Sequence, residues 1–463
     1  MRMPFIASFL LVGVVTTLTA DSPIKNIGTR KHGVDWPNFL GKSHDNKSSE
    51  TGSLKAWPQS GPPIVWQKKL GIGYGGPSIS KGRLFIFDRH TNTARLTCMK
   101  SETGEELWRF EYPTDYEDMY GYNNGPRATP VVEEDRVYLL GAEGMLRCVK
   151  FGDTKELWKV DTTKKYNVKQ NFFGVGSTPV IEKNLLIVMV GGSPKGTPEI
   201  QSGAVPGNGT GIVAFDKLTG KVVYEISDEL ASYASPSLAT IDDRRWCFVF
   251  ARGGLVGFEP KSGKVDFHYP WRAKMLESVN AANPIVVGDN VFISETYAIG
   301  SSLLKVRPGG YDVVWKDGRG RDQSMKTHWN TPIHVDGHVY GSSGRHTSQA
   351  ELRCIELKTG KVKWSQPRLT RSSLLYVDGH FICLTEYGQL ALLRVNPEKF
   401  DLVSDVYLKD SNGTPLLGYP AWAAPVLSHG LLYVRGKDRL VCLDLLPTPT
   451  SPSKKASSSP PKK

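Results

Sequence analysis

Past its first 20 residues the chain has no uninterrupted apolar run approaching the 18 or so of a membrane-crossing helix, so no integral membrane segment is expected in the mature protein. Cysteine is sparse. The six Cys include no adjacent pair and no Cys-x-x-Cys-His string, which excludes a vicinal disulfide and covalent attachment of a c-type haem. The ten His form neither His-x-His nor His-Glu-x-x-His, and no metal centre is expected. A Gly-x-Ser-x-Gly elbow is absent, which removes that route to acyl transfer. The one apolar stretch, Phe5 to Val15, follows Arg2 and precedes Leu18-Thr19-Ala20, so residues 1–20 read as an export signal and a periplasmic or extracellular location is expected. Asp21 rather than Cys follows, which argues against a lipid-anchored start.

Acidic residues are in deficit as well, 46 against 58 Lys and Arg, for a formal charge of +12. Much of that excess is terminal. Residues 447–463 carry four Lys and no acid among Pro, Ser and Thr, and they are expected to form a disordered, solvated basic tail. With a further surplus of roughly three before residue 34, the body retains only about +5, and no nucleic-acid partner is expected.

What the chain does contain is a repeat. A short strand, a tight turn, a second strand, then a third and a fourth ending on an aromatic residue recur eight times. The aromatic anchors are Trp66, Trp108, Trp158, Tyr224, Phe267, Trp315 and Trp364, with a weaker eighth unit near Val403. Seven of the eight first strands open on Pro, as at Pro77, Pro130, Pro179, Pro236, Pro284, Pro332 and Pro425; the exception is Arg371-Ser-Ser-Leu. Pro is tolerated there because no ladder hydrogen bond is lost at a strand start. Turns such as Asp336-Gly337 and Asp378-Gly379 are hairpin signals.

The last unit, ending at Leu440-Val-Cys-Leu-Asp-Leu445, has no fourth strand, whereas Pro63-Ile-Val-Trp66-Gln is a fourth strand without a blade before it. Pairing the two closes the ring and removes an exposed edge. The expectation is an all-β, eight-bladed β-propeller of four-stranded antiparallel blades over 62–446, closed by an N-terminal outer strand and preceded by an extension over 21–61. Cys98, Cys148, Cys354 and Cys442 occupy one place in four copies, too far apart for disulfides, and are expected to be buried free thiols.

These copies, best seen in Ala214-Phe-Asp216-Lys-Leu-Thr219-Gly220-Lys-Val-Val-Tyr224, resemble the quinoprotein-type (PQQ-like) propeller repeat. That repeat occurs in alcohol dehydrogenases that use pyrroloquinoline quinone (PQQ) and in the BamB-type outer-membrane assembly proteins. Asp35-Trp-Pro-Asn-Phe-Leu-Gly41, Trp57-Pro58 and Pro63-Ile-Val-Trp66 also look like exported proteins of this repeat type. The resemblance implies a fold more than an activity. The dehydrogenases stack their cofactor on a disulfide between adjacent Cys, which this chain cannot form, and Glu143, Glu295, Glu386 and Asn283, the candidate oxygens for calcium, fall in different blades.

In such a propeller one face carries short turns and the other carries unequal loops, where function is usually built. The long loops here are 111–126, 161–176, 191–210 and 316–329, rich in Tyr, Asn, Phe and basic residues. Together with positions flanking the channel they supply the candidate ligand-binding residues: Tyr122, Asn123, Asn124, Arg127, Asn171, Phe172, Arg252, Glu295, His328, Trp329, Arg345, Glu386, Trp422 and Arg435. Tyr and Asn combine rigid stacking area with adaptable hydrogen bonds, a mixture suited to a protein, peptide or glycan ligand. The reading is a monomeric, non-catalytic binding or scaffold module with no cofactor. The alternatives are a divergent PQQ- and calcium-dependent alcohol dehydrogenase and a BamB-like assembly factor.

Overall fold

Eight four-stranded antiparallel sheets follow one another around a central channel, each running from an inner strand to an outer one. The computed structural model describes residues 23–446 apart from 53–55, 170, 199–204 and 321; the expected export signal and basic tail lie outside the described residues. Blades one to seven span 78–113, 131–161, 180–226, 237–270, 285–316, 333–367 and 372–407. Blade eight takes its three inner strands from 426–444 and its outer strand, Ile64–Lys69, from the N-terminal side, paired antiparallel with Arg439–Asp444. The expected closure is therefore present.

The second and third strands of each blade are buried on both faces, which is why they read as unbroken apolar runs such as Leu185–Met189. The core lies between blades. Val131, Tyr138, Leu140 and Leu146 of blade two pack on Leu186, Val188, Val213 and Phe215 of blade three, and comparable clusters recur around the ring.

The aromatic anchors explain the Gly-containing turn of the repeat. A bulge in each outer pair turns the anchor inward, setting Trp66, Trp108, Trp158 and Trp364 opposite Cys442, Cys98, Cys148 and Cys354. All six Cys are buried and unpaired. Four of the indoles donate to a carbonyl of the next blade, Trp66 Nε1 to Ser101 at 3.0 Å, Trp158 Nε1 to Lys217 at 3.1 Å, Trp315 Nε1 to Leu357 at 2.8 Å and Trp364 Nε1 to Asn396 at 3.0 Å, whereas that of Trp108 has no such partner among the described residues. Gly220 lies on the Trp158 ring with φ +69°, and a Cβ there would stand 2.7 Å from the indole.

Gly220→Ala is therefore expected to cost about 2–4 kcal/mol, joining left-handed strain to overpacking. Gly379→Ala, at φ +74° with open space around it, should cost only about 1–2 kcal/mol from strain alone. Denaturant unfolding of the two variants checks the difference, and equal midpoints would refute the role assigned to the anchor.

The strand-opening Pro residues belong to a ring of hydrogen bonds. The backbone N–H of Thr129 donates to Thr178 Oγ1 (3.1 Å), that of Thr178 to Ser235 Oγ (2.9 Å), that of Ser235 to Asn283 Oδ1 (2.8 Å), and that of Asn283 to Thr331 Oγ1 (3.0 Å). Each of these residues immediately precedes a Pro, and together they tie blades two to six at the channel wall. At the corresponding places blades seven, eight and one have Ser372, Ala424 and Gly76.

The N-terminal extension lies mainly against that arc. Trp36 exchanges hydrogen bonds with Ile79 of blade one (2.9 and 2.8 Å), and the Val132 amide of blade two donates to the Pro37 carbonyl at 2.9 Å. The chain turns at 38–46 inside the channel and returns as Lys47–Ser48, paired parallel with the inner strand Ser372–Val377 of blade seven. Glu50 closes the loop, accepting from the Val34, His429 and Gly430 amides at 3.2, 2.8 and 2.7 Å. Residues 34–50 form a plug inserted from the short-turn face.

Candidate functional site

With the short-turn face plugged, the channel is left as a well of about 640 Å³ opening on the unequal-loop face. Trp36, Asn38, Phe39, Leu40 and Asn46 of the plug line it, together with residues from the links between blades and from loops between second and third strands.

Two aromatic clusters contribute from different arcs of the ring. The first comes from the loops before blades two, three and four. Tyr120 lies 5.2 Å and Tyr122 5.8 Å from Phe173, which packs 5.8 Å from Tyr233. Beside them Arg127 donates to Asp118 Oδ2 and to the Asn123 carbonyl, each at 2.6 Å, and its guanidinium lies over Tyr116 and Tyr74 at 5.4 and 5.8 Å. Asp118 also accepts the Tyr120 and Tyr122 amides at 2.9 and 3.3 Å, so one carboxylate holds both the Arg and the loop bearing the rim tyrosines.

The second cluster comes from the links before blades six, seven, eight and one. Trp329 and Trp422 lie 4.6 Å apart, and Tyr74 and Tyr419 pack 4.9 and 5.9 Å from Trp422. Arg371 sits over both indoles at 4.4 and 5.5 Å and donates to Glu386 at 3.0 and 2.6 Å, while Trp422 Nε1 donates to the same carboxylate at 3.2 Å. Burial alone would raise the Glu386 carboxyl, but the Arg371 hydrogen bonds and charge, with the indole N–H, outweigh it and hold it below its ordinary value.

Arg345 is placed differently. Its guanidinium lies 4.5 Å from the Tyr297 ring centre and forms no ion pair among the described residues, because Glu351 is taken by Arg353 and Glu386 by Arg371. His328, whose Nε2 is 3.2 Å from the Tyr297 hydroxyl, is pushed down to about 3 by burial and then by the charges of Arg371, Arg345 and His346.

Six of the sequence candidates line the well: Tyr122, Arg127, His328, Trp329, Arg345 and Trp422. The others stand outside its lining. Asn123 and Asn124 shape the Tyr-bearing loop by accepting the Gly125 and Asp118 amides, and Asn171 accepts the Gly174 amide through its carbonyl. Phe172 is buried beneath Arg252 at 4.6 Å. Arg252, lowered to about 10 by burial and by Arg272, donates to the Leu276 carbonyl at 2.5 Å. Glu295 is buried, and that burial raises its carboxyl to about 7. Glu386 lies under the Trp pair, and Arg435 is buried in the wall, donating to the Gly75 carbonyl at 2.5 Å.

Sequence reasoning passed over Arg371, Tyr297, Tyr74, Tyr419 and the plug. Arg371 carried a signal, since its segment is the one first strand that lacks the opening Pro.

The family described as outer membrane protein assembly factor BamB matches residues 51–193 and 190–366. The chain belongs to that family. BamB from Moraxella catarrhalis superposes with a TM-score of 0.54 at 11% identity, over 82% of this chain and 97% of that one. The quinohemoprotein alcohol dehydrogenase from Comamonas testosteroni gives 0.61 at 12% identity, over 89% and 82%. The C-terminal WD40 domain of Sif2 gives 0.52 at 9%, over 84% and 99%. At these identities the likeness is one of fold. No curated protein matches the chain by sequence. Among the described residues no helix is long and apolar enough to cross a membrane.

Proposed function

We propose that this BamB-family propeller is an exported, monomeric binding module, without redox chemistry of its own, that takes a segment of a protein, peptide or glycan into the well on its loop face. The observation that carries this reading is the mouth of the well. Tyr120, Tyr122, Met275 and Tyr419 are all exposed there, as is Tyr387, stacked 5.0 Å from Tyr419. A concentration of exposed aromatic and Met side chains around a concave site marks a surface kept for a ligand.

The well is built for contact more than for proton transfer. His328 is held neutral far below its ordinary range and burial raises the Tyr297 hydroxyl, so neither is poised near neutrality. Glu295, which is poised there, does not line the well.

The residues present do not fit a calcium-bound quinone. Glu386 is spent on Arg371 and Trp422, Glu143 accepts from the Tyr112 hydroxyl at 2.8 Å, and Asn283 Oδ1 belongs to the channel-wall ring. Among the described residues no group of three or more His, Cys, Asp and Glu is placed to hold a metal ion. The six Cys lie buried within the blades, none of them lining the well.

The test is a panel of glycans and extended peptides, the latter because the family description concerns protein assembly. The intact chain is compared with the double variant Tyr122→Ser/Tyr419→Ser and with Val314→Ser on the exposed outer strand of blade five. Ligands bound by the intact chain and by Val314→Ser should be lost from the double variant. Binding indifferent to the rim, or stoichiometric uptake of PQQ with calcium accompanied by alcohol oxidation, would overturn the proposal.

A further inference from the structure

Apart from Arg127 with Asp118, and Arg371 neutralised by Glu386 beneath it, the described lining holds two charged groups, Arg345 and Glu277. They come from different arcs, Arg345 following the second strand of blade six and Glu277 from the link between blades four and five. A guanidinium on an aromatic ring in a mostly apolar well, with no carboxylate committed to it, has its outward N–H edge free for a planar or tetrahedral anion. A carboxylate with no cation of its own is an acceptor for hydroxyl donors. The same lining presents the ring surfaces of Trp329, Trp422, Tyr74 and Tyr419.

Anion, hydroxyl donors and flat carbon-hydrogen faces occur together in one class of molecule. We propose that the well takes the end of an anionic saccharide chain, its carboxylate or sulfate ester on Arg345, its sugar faces on the Trp and Tyr rings, and its hydroxyls donating to Glu277. The inference rests on the reading of the loop face as a binding surface and narrows its ligand.

A peptide fits less well. Extended peptides are held largely by backbone hydrogen bonds, and the amides of Thr129, Thr178, Ser235 and Asn283 along the wall are already consumed by the ring that ties the blades. A neutral glycan would leave Arg345 desolvated without compensation, which costs free energy that an anionic one recovers.

Calorimetric titration of the full chain with a short oligogalacturonate, its methyl ester, a sulfated galactan oligomer, its desulfated backbone and an acidic peptide tests this. At least one acidic saccharide should bind ten or more times tighter than its uncharged counterpart, with an affinity that falls as salt rises. The acid and sulfate arms tell which anion is taken. Arg345→Gln should remove that preference, Arg345→Lys should restore part of it, and thermal unfolding shows that both variants fold.

Equal binding of charged and uncharged saccharides, or an unchanged preference in Arg345→Gln, would overturn the inference while leaving a loop-face glycan module. Binding of the peptide alone would overturn it in favour of a polypeptide ligand. Binding of none of the five, or binding untouched by Tyr122→Ser/Tyr419→Ser, would overturn the inference together with the reading beneath it.

Discussion

Arg371→Gln is expected to lower the unfolding free energy by about 3–5 kcal/mol, among the largest effects available to a single substitution at the well. The Glu386 side chain has no exposure and that of Arg371 11%, so removing the guanidinium leaves a buried carboxylate with only the Trp422 indole N–H and the residue 371 backbone amide against its charge. Adding Glu386→Gln should recover half or more of the loss, because the neutral amide no longer needs a cation. The dependence on pH has a definite sign. In the natural chain the depressed Glu386 adds stability above the ordinary carboxylate range and loses it as pH falls through its lowered value. In Arg371→Gln the orphaned carboxyl should titrate above its ordinary value, so acid relieves the penalty and the two proteins converge as pH falls. Denaturant midpoints between neutral and mildly acid pH measure this, and a gap that widened with acid would refute the assignment.

Trp36→Ala is expected to cost a similar amount, about 3–5 kcal/mol, for a different reason. Trp36 is 2% exposed, packs in the core shared by blades seven, eight and one, and holds the plug at the start of its turn. Hydrogen exchange separates loss of the plug from loss of the ring. The amides of Ile79, Val132 and Tyr376 donate to carbonyls of Trp36, Pro37 and Asn46, and they should lose protection first. Amides within Leu185–Met189, which the plug does not contact through its backbone, should keep theirs until the whole ring unfolds. Simultaneous loss at both places would show that plug and ring are a single cooperative unit.

The blades were legible because every local cue repeats: turn, apolar run and aromatic anchor return in order, and the unmatched strand at Pro63-Ile-Val-Trp66 can only complete the unit that lacks one. The four aligned Cys were legible for the same reason, each lying opposite an anchor. The well was legible in part. Trp329, Arg345 and Trp422 could be placed near the channel by their position relative to the strands, and they line it. Arg252, Glu295 and Arg435 occupy equivalent sequence positions, yet the wall covers them, because which loop lies over which strand end depends on packing between loops from different blades.

The plug was not legible as a plug. Residues 34–50 make hydrogen bonds with partners as far away in the chain as Leu374 and Gly430, and the segment has no repeat or period, and no regular element beyond the two-residue strand Lys47–Ser48, from which such partners could be read. Its marks were a Trp-Pro pair and a Gly41 whose added Cβ would strike the Trp36 ring at 3.0 Å.

For the polymer ligand proposed above, the plug also sets how binding is counted. An open channel could be threaded by a polymer and would register its length, many molecules sliding onto one strand. A blind well admits a terminus and nothing behind it. The capacity of a polymer for this protein should therefore scale with its number of ends, rising as long chains are cut into short ones even though the mass of polymer is unchanged.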